Sequence, residues 1–421
     1  MSPAGTEGAE APGRDAEGAG GATVAAGLAT VTRLLALAAI ANVGIAAILL
    51  WAIHRPGGAG TLMDFGALWA AGHMAFEGRA AAAYDLSALT AVQSEALGRP
   101  YEREMAWLYP PVLQLPLVPF GALPLLPAQL AWVVLTAAAY LAVCRRVLPV
   151  PVPVFASVAA ALAPITVLLL IVGGQTGFLT AALVGAALLP LATAAPERWP
   201  TALATGIPLG LMVIKPQLAL ALPVALLVLG RWRSLATAAA TAAIAALLTT
   251  LALGAGVWSA FLDATAIAAR DYLRTDALDL HATLRGALAT FGVPGALATA
   301  AQAALSLAVL ATLVATLGRR LAGPATVALI AYATIAVSPR VMEYDLLILV
   351  VGALAHARHL AAQPTRPMAE QGAIALALVL PAADFVLGLP LAWAAAPLLL
   401  AALLLAERTR YSGSATGASA A

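Results

Sequence analysis

Leu34 to Ile53 reads LLALAAIANVGIAAILLWAI, a run of 20 residues without a charged side chain. Because an α-helix rises about 1.5 Å per residue, this run is long enough to cross the hydrocarbon core of a bilayer, which is about 30 Å thick. It is too long, and begins too far into the chain, for a typical cleaved signal peptide. It therefore predicts a first transmembrane helix, preceded by Arg33.

The rest of the chain shares this apolar character. Of its 421 residues, 62% are hydrophobic and 10% are charged, and the mean hydropathy is +0.94, whereas soluble domains carry roughly 25% charged residues. The apolar runs have helical length and are rich in small residues, which favours packed membrane helices over the alternating strands of an outer-membrane barrel. We predict an all-α, polytopic integral membrane protein. The lone Cys144 excludes an intramolecular disulfide.

Further apolar segments are candidate spans, and with the first helix they predict about 12 transmembrane helices. They cover residues 127–143, 151–171, 177–192, 201–214, 216–229, 235–253, 296–317, 324–337, 346–361, 373–387 and 391–405. A dozen crossings place both termini on one side, although one long kinked helix around Lys215 would change this parity. Prolines crowd residues 108–125, and each removes a backbone donor, so we expect a re-entrant segment or a broken helix there.

In this arrangement of spans, the loops on one side of the membrane are rich in arginine. Cytoplasmic loops of membrane proteins carry an excess of basic residues, so the arginine-rich side is assigned to the cytoplasm. The arginines on that side are Arg33, Arg145, Arg146, Arg198, Arg231, Arg233, Arg319, Arg320, Arg358, Arg366, Arg408 and Arg410. We therefore expect a multi-pass protein of a bacterial cytoplasmic (inner) membrane with both termini cytoplasmic.

The sequence divides into a membrane domain and two tails. Residues 1–30 and 411–421 are polar or low in complexity and are predicted to be disordered, while residues 31–410 form the membrane domain. The first outer loop, residues 54–107, holds much of the charge. Residues 65–76 place their larger apolar side chains on one helical face, which predicts a short amphipathic helix on the membrane surface. A second short helix is expected at about residues 85–97.

Five polar segments fall on the predicted outer side. They are DFGALWAAGHMAFEG at 64–78, GGQ at 173–175, KPQ at 215–217, the loop 255–295 and SPRVMEYD at 338–345. These segments are far apart in sequence but share one membrane face. We therefore expect one site, built from the ends of many helices and facing outward.

The order and spacing of these motifs resemble glycosyltransferase family 87. The motifs are Asp-Phe-x-x-x-Trp-x-Ala-Gly from Asp64, Tyr-Pro-Pro from Tyr109, Gly-Gln at 174–175, Lys-Pro at 215–216, and Ser-Pro at 338–339 with Tyr-Asp at 344–345. The similarity covers about residues 61–351. It implies a GT-C fold and an enzyme that moves a mannose-like hexose from a polyprenyl-phosphate donor to an envelope glycolipid or glycan hydroxyl.

One difference from the family limits what the resemblance implies. Mannosyltransferase members related to phosphatidylinositol mannoside synthesis carry histidines just after the Ser-Pro motif, where this chain has residues 340–345. The resemblance therefore implies the reaction class, and leaves the sugar and the acceptor open.

The family's essential aspartate maps onto Asp64. The resemblance implies that Asp64 is the general base, which takes the proton of the acceptor hydroxyl as the hydroxyl attacks the anomeric carbon with inversion. The alternative is that Asp64 caps the helix starting at Phe65, a position where aspartate is favoured. Both roles are compatible with each other.

Two cations are candidates for binding the donor phosphate. Lys215 lies between two apolar runs, and an ionisable residue near membrane depth suggests a function, although a snorkelling side chain at a helix end is the alternative. Arg340 offers a two-pronged guanidinium to a phosphate, or else pairs with Glu343 or Asp345.

Five further residues complete the predicted substrate contacts. They are Gln175, Tyr109, His281, Glu343 and Tyr344. Gln175 follows two glycines that permit close approach to sugar hydroxyls, but a polar turn between helices has the same pattern. Tyr109 is expected to shape the lining of the cavity. His281 is a second phosphate contact, an acceptor contact or a solvated loop residue.

The sequence does not contain the motifs expected for metal, nucleotide or nucleic-acid binding. No Asp-x-Asp pair stands beside Asp64 and no His or Cys cluster has ligand spacing, so we expect neither a metal nor another cofactor. Walker and Rossmann glycine motifs are absent, which argues against ATP or a nucleotide sugar as the direct substrate. The basic residues are spread over short loops, which does not indicate nucleic-acid binding.

The expected partners are a polyprenyl-phosphate-linked sugar donor, a lipid or glycan acceptor, and membrane lipids. The main alternative is a multi-span transporter of a lipid-linked sugar. Carriers tend to place ionisable residues near the membrane midplane and to contain internal repeats. Here the ionisable residues gather at the predicted outer ends and the halves show no convincing repeat, so we favour the enzyme. A structural scaffold in an envelope-synthesis complex is the third interpretation.

Overall fold

The computed structural model describes residues 14–54, 64–101, 105–148, 152–193, 196–272, 282–319, 321, 323–363 and 367–418. Within these ranges the fold is all-helical, with 83% helix and no strand. This confirms the predicted all-α class.

The helices follow one another with short connections. In chain order they are α1 (Arg14–His54), α2 (Phe65–Phe76), α3 (Leu86–Leu97), α4 (Pro111–Gly121), α5 (Leu125–Val147), α6 (Val154–Leu162), α7 (Ile165–Gly173), α8 (Gly177–Leu188), α9 (Trp199–Leu211), α10 (Ala221–Val228), α11 (Trp232–Leu253), α12 (Gly256–Tyr272), α13 (Leu284–Thr290), α14 (Gly295–Leu317), α15 (Gly323–Val337), α16 (Leu347–Ala361), α17 (Met368–Leu387) and α18 (Ala395–Ala418). Short 3₁₀ turns lie at Ala80–Tyr84, Leu189–Ala192, Met212–Ile214, Pro216–Ala219, Glu343–Leu346 and Ala392–Ala394.

Six of the described helices are long and apolar enough to cross a membrane, or seven if the bent pair α6 and α7 forms one span. The six lie at Thr32–Ile53, Leu125–Val147, Trp232–Leu253, Gly295–Leu317, Glu343–Ala361 and Met368–Leu387. Several other predicted spans are shorter apolar helices, among them α8, α9 and α15. The structure thus supports membrane character, while the predicted total of about 12 crossings is not confirmed.

The predicted span at residues 151–171 is broken into α6 and α7, which are bent by 74°. The break falls at Pro164, which has no backbone N–H to continue the helix. Asn42 of α1 reaches into the break, where its Nδ2 lies 3.0 Å from each of the carbonyl oxygens of Leu162, Ala163 and Pro164. The amide thereby donates to carbonyls at the bend, among them that of Pro164, which also accepts from the backbone N–H of Val167.

Residues 65–76 form α2, but this helix is buried inside the protein. Ten of its 12 residues are buried, as expected for a helix that is apolar around its circumference. It packs against α4 so closely that a methyl group at Gly72 would collide with the carbonyl oxygen of Leu117, and one at Gly121 with the backbone of His73. The prediction of an amphipathic helix on the membrane surface is therefore wrong here.

The second predicted helix of the first loop is confirmed as α3. Asp85 caps it, because its Oδ1 accepts a hydrogen bond of 2.9 Å from the backbone N–H of Ala88. The proline-rich segment after the loop contains the regular 11-residue helix α4, with Pro116 and Pro119 inside it. This helix is about 16 Å long, too short to cross a bilayer.

Both predicted tails are partly helical in the described residues. Helix α1 begins at Arg14 rather than near Leu34, and α18 continues to Ala418. Alanine is the strongest helix former and is frequent in residues 14–30, which favours the early start of α1. Residues 1–13 and 419–421 lie outside the described residues.

Helices α15 and α16 form the centre of the bundle. Every residue of α15 from Ala325 to Val337 is buried, and 12 of the 15 residues of α16 are buried. The connection between them, residues 338–346, is therefore held at one end of the most buried pair of helices. This connection carries the Ser-Pro and Tyr-Asp motifs.

Candidate functional site

One cavity of about 240 Å³ gathers most of the polar motifs. We call it the polar cavity; its lining residues are Asp64, Met105, Ala106, Leu108, Tyr109, Pro110, Gln175, Ile214, Lys215, Gln217, Arg340, Met342, Tyr344 and Asp345. Six of the eight predicted site residues are among them. They come from five separate parts of the chain, as expected of a site built from helix ends.

Asp64 lies at the N-cap position of α2, but its side chain makes no capping hydrogen bond. The carboxylate faces the turn after α7 instead, since a methyl group added at Gly173 would lie 3.8 Å from Asp64 Oδ2. The side chain is half-buried and lines the polar cavity. The position thus fits the cap interpretation, whereas the side-chain geometry does not.

The turn at residues 173–177 joins two walls of the cavity. Gly174 has a φ of +64°, and a methyl group there would collide with the Phe65 side chain. A methyl group at Gly177 would collide with the carbonyl oxygen of Tyr344. Both close approaches require glycine. The turn can therefore contact the start of α2 on one side and the 343–346 segment on the other.

Tyr109 and Gln175 form the polar wall next to this turn. The hydroxyl of Tyr109 donates a hydrogen bond of 2.9 Å to Gln175 Oε1 and lies 3.3 Å from Thr176 Oγ1. Tyr84 fixes Tyr109 from behind, donating 2.8 Å to its carbonyl oxygen. Gln175 lies in a turn between two helices and is also buried in the wall of the cavity. The residue therefore fits both of the interpretations that its sequence context allowed.

Lys215 occupies the break between two 3₁₀ turns, with φ −144° and ψ 71°. It is buried, and its Nζ lies 2.7 Å from Oδ1 of the buried Asp345. The ammonium also lies 4.6 Å from the ring centroid of Tyr344 and 5.7 Å from that of Tyr109. A snorkelling lysine extends to the membrane interface, so this geometry contradicts the snorkelling interpretation.

Arg340 is exposed and lines the cavity at its rim. Its backbone is held by Ser338, whose hydroxyl donates 2.9 Å to the Arg340 carbonyl oxygen. The next residue, Val341, accepts a hydrogen bond of 2.8 Å from the backbone N–H of Ala282. The Ser-Pro segment is therefore anchored to α15 and to the start of the α13 region.

Two predicted site residues are not brought to the cavity by the described structure. His281 lies outside the described residues. Glu343 is described, and is half-buried beside the cavity, but does not belong to its lining. Conversely, Asp345, Gln217 and Met105 line the cavity without having been predicted as site residues. Asp345 and Gln217 had a signal in the Tyr-Asp and KPQ motifs, whereas Met105 had none. In the described ranges, no group of three or more His, Cys, Asp or Glu residues is arranged to hold a metal ion.

A second cavity of about 350 Å³, the apolar groove, adjoins the polar cavity. Its lining comes from α4, α8, α9, the 3₁₀ turn Met212–Ile214 that follows α9, and α11. The lining residues are Val112, Leu113, Leu115, Pro116, Leu179, Leu183, Leu211, Ile214, Ala245, Leu248 and Thr249. Ile214 lines both cavities and directly precedes Lys215. The buried ammonium thus lies where the polar and apolar spaces meet.

Comparison with known protein families gives a match. A sequence model of Glycosyltransferase family 87 matches residues 107–339, more than half of the chain. The matched region contains Tyr109, Gln175 and Lys215 and ends directly before Arg340, while Asp64 precedes it. No curated protein and no solved structure matches the chain.

Proposed function

Because the chain belongs to glycosyltransferase family 87 and is therefore a glycosyltransferase, we propose that it is a membrane enzyme of the GT-C type. It moves a mannose-like hexose from a polyprenyl-phosphate donor to a hydroxyl of an envelope glycolipid or glycan. The reaction takes place on the outer face of a bacterial cytoplasmic membrane, both termini are cytoplasmic, and residues 31–410 act as one domain. The observation that carries the proposal is the junction of the polar cavity and the apolar groove at Lys215.

In this proposal Asp64 is the general base. Its carboxylate accepts the proton of the acceptor hydroxyl while the hydroxyl oxygen forms a bond to the anomeric carbon. The bond from that carbon to the phosphate oxygen breaks, and its electron pair leaves with the polyprenyl phosphate. Displacement from the opposite face inverts the configuration. Among the described residues that line the cavity, Asp64 and Asp345 are the two carboxylates, and Asp345 is already held by Lys215.

Lys215 and Arg340 are the proposed partners of the donor phosphate. The leaving group gains negative charge as the glycosidic bond breaks, and cations fixed in a site of low dielectric stabilise such charge strongly. Lys215 is buried at the inner wall, while Arg340 lies at the rim. A phosphate between them would contact both an ammonium and a guanidinium.

The apolar groove is the proposed binding site of the polyprenyl tail. Ten of its 11 lining residues are hydrophobic or proline, and the exception is Thr249. Burial of apolar surface away from water contributes a free energy of about 25 cal/mol per Å². A prenyl chain that lies along this wall is therefore stabilised. Since the groove meets the polar cavity at Ile214, a tail in the groove would present its phosphate to Lys215. Tyr109, Gln175 and Tyr344 are then the proposed contacts of the sugar.

The experiment that tests the proposal measures sugar transfer in membranes that contain the protein. Radiolabelled polyprenyl-phosphate hexoses are compared with the matching nucleotide sugars, and membranes without the protein are the control. We expect transfer from a lipid-linked donor and none directly from nucleotide sugars. Transfer that requires only the nucleotide sugar would contradict the proposed donor class. Movement of a lipid-linked sugar across vesicles without transfer would support the carrier instead.

A bulky side chain in the apolar groove is expected to discriminate between donors. Ala245→Trp should raise the KM for a long-chain polyprenyl donor by about tenfold, because the indole occupies space that the tail needs. A donor with a short prenyl chain should be affected little. The matched control is Ala243→Trp, on an exposed part of the same helix and outside the groove lining. Equal effects of Ala245→Trp on both donors would place the tail elsewhere.

A further inference from the structure

Lys215 is the only lysine in the sequence, whereas the other 21 basic residues are arginines. Arginine occupies all the other positions, including the buried Arg285, and the one lysine lies at the wall of the polar cavity. The two side chains differ in shape, since lysine ends in a compact ammonium with three N–H donors and arginine in a wide planar fork.

Three groups surround the Lys215 ammonium. Asp345 Oδ1 lies 2.7 Å from Nζ, and the rings of Tyr344 and Tyr109 lie 4.6 and 5.7 Å from it. Aromatic faces attract cations at such distances. We call these three groups the lysine slot. A compact ammonium fits between two rings and a carboxylate, while a planar guanidinium needs more width.

Asp345 is itself held in place at both carboxylate oxygens. While Oδ1 accepts from Lys215, Oδ2 accepts a hydrogen bond of 3.2 Å from the backbone N–H of Met342. The backbone N–H of Asp345 in turn donates 2.9 Å to the Met342 carbonyl oxygen. The carboxylate is thus fixed to the turn that follows the Ser-Pro motif, and its position sets that of the ammonium.

A buried ion pair is weak evidence for stability, because removing both charges from water costs about as much as their attraction returns. In a chain with 10% charged residues, such a pair at a cavity wall indicates a function. On the basis of the proposed function, we infer that Asp345 is a positioning residue. It holds Lys215 in the lysine slot so that the remaining N–H donors of Lys215 meet the donor phosphate.

A double-mutant cycle tests this inference in the donor assay. We expect Asp345→Asn to lower kcat/KM for the donor about tenfold and Lys215→Met about 100-fold, with no change in the KM of the acceptor. The variant with both substitutions should match Lys215→Met alone, because Asp345 acts through Lys215. This double variant contains no unpaired buried charge. If a single variant folds poorly, the double variant can therefore still be compared with the wild type. Losses that multiply would overturn the inference.

Lys215→Arg tests the shape of the slot. It keeps the positive charge, yet we expect it to lose at least tenfold in kcat/KM for the donor, because the guanidinium does not fit between the two rings. Full activity of Lys215→Arg would show that charge alone suffices. The control is Glu370→Gln, which removes the negative charge from another buried contact, the 2.7 Å pair of Glu370 with His356. Asp345 lies in the 3₁₀ turn before α16, and His356 is about 13 Å along α16 from the first residue of that helix. Glu370→Gln should therefore leave the KM of the donor unchanged.

The single lysine also permits a measurement that does not depend on transfer. Protein labelled with [ε-¹³C]lysine, carrying only a lysine-free tag, gives one side-chain NMR signal, that of Lys215. Adding sugar-free polyprenyl phosphate should shift this signal in the wild type, and Asp345→Asn should raise the apparent Kd about tenfold. An unchanged Kd in Asp345→Asn would contradict the positioning role. If the wild type transfers no sugar, the proposed function fails, while this signal still reports whether Asp345 holds Lys215.

Discussion

Asp64→Asn is expected to reduce transfer by a factor of about 10² to 10⁴, the usual contribution of a general base. The carboxamide of asparagine has nearly the same shape as the carboxylate. It is too weak a base to take the proton from the hydroxyl of the acceptor substrate. The Asp64 side chain makes no capping hydrogen bond to α2, so the substitution should not weaken the start of this helix. The measurement is the rate of transfer from the labelled lipid donor at matched protein levels, with thermal unfolding of each purified variant alongside.

The matched control for this prediction is Asp85→Asn. Asp85 is also an aspartate at a helix N-cap of the first loop, but its Oδ1 does accept from the Ala88 backbone N–H. Asp85 lies outside the lining of the polar cavity. Because asparagine caps helices about as well as aspartate, we expect Asp85→Asn to keep the cap of α3 and to retain transfer. If Asp64→Asn transferred sugar at the wild-type rate, Asp64 would not be the base, and its position at the start of α2 would be structural.

Lys215→Met has the second largest expected effect, a loss of about 100-fold in kcat/KM for the donor. Methionine fills a similar volume but supplies no charge to the leaving phosphate. The acceptor KM should stay unchanged, because the acceptor is proposed to bind at Asp64 and not at the ammonium. Steady-state kinetics with the donor and the acceptor varied separately measure the two constants.

Stability separates this catalytic loss from misfolding. Lys215→Met leaves Asp345 buried without its partner, and breaking a buried pair costs about 3–5 kcal/mol. Lys215→Met/Asp345→Asn removes both charges, so it should unfold at a higher temperature than Lys215→Met while transferring equally slowly. If transfer recovered together with stability in the double variant, the loss in Lys215→Met would come from folding, and the proposed phosphate contact would be wrong.

The sequence predicted features that depend on composition and on local order. Apolar runs of bilayer length predicted a helical membrane protein, since a hydrocarbon core admits helices whose backbone groups are satisfied internally. The order of short motifs predicted the family, which the match over residues 107–339 confirms. Segments at helix ends on one side of the membrane come close together when helices bundle. This is why Asp64, Gln175 and Arg340 could be grouped before their geometry was known, although their roles stay predictions.

The tertiary structure decided features that depend on which helices are neighbours. Helix α2 is buried because glycines let α4 approach it, and periodicity alone does not reveal such a neighbour. The bend between α6 and α7 is stabilised by Asn42, a residue of a different helix. The pairing of Lys215 with Asp345 joins residues 130 positions apart. Sequence reasoning identified the lysine as costly to bury, but its partner is set by the packing of the core helices α15 and α16, which hold Asp345 at the cavity wall.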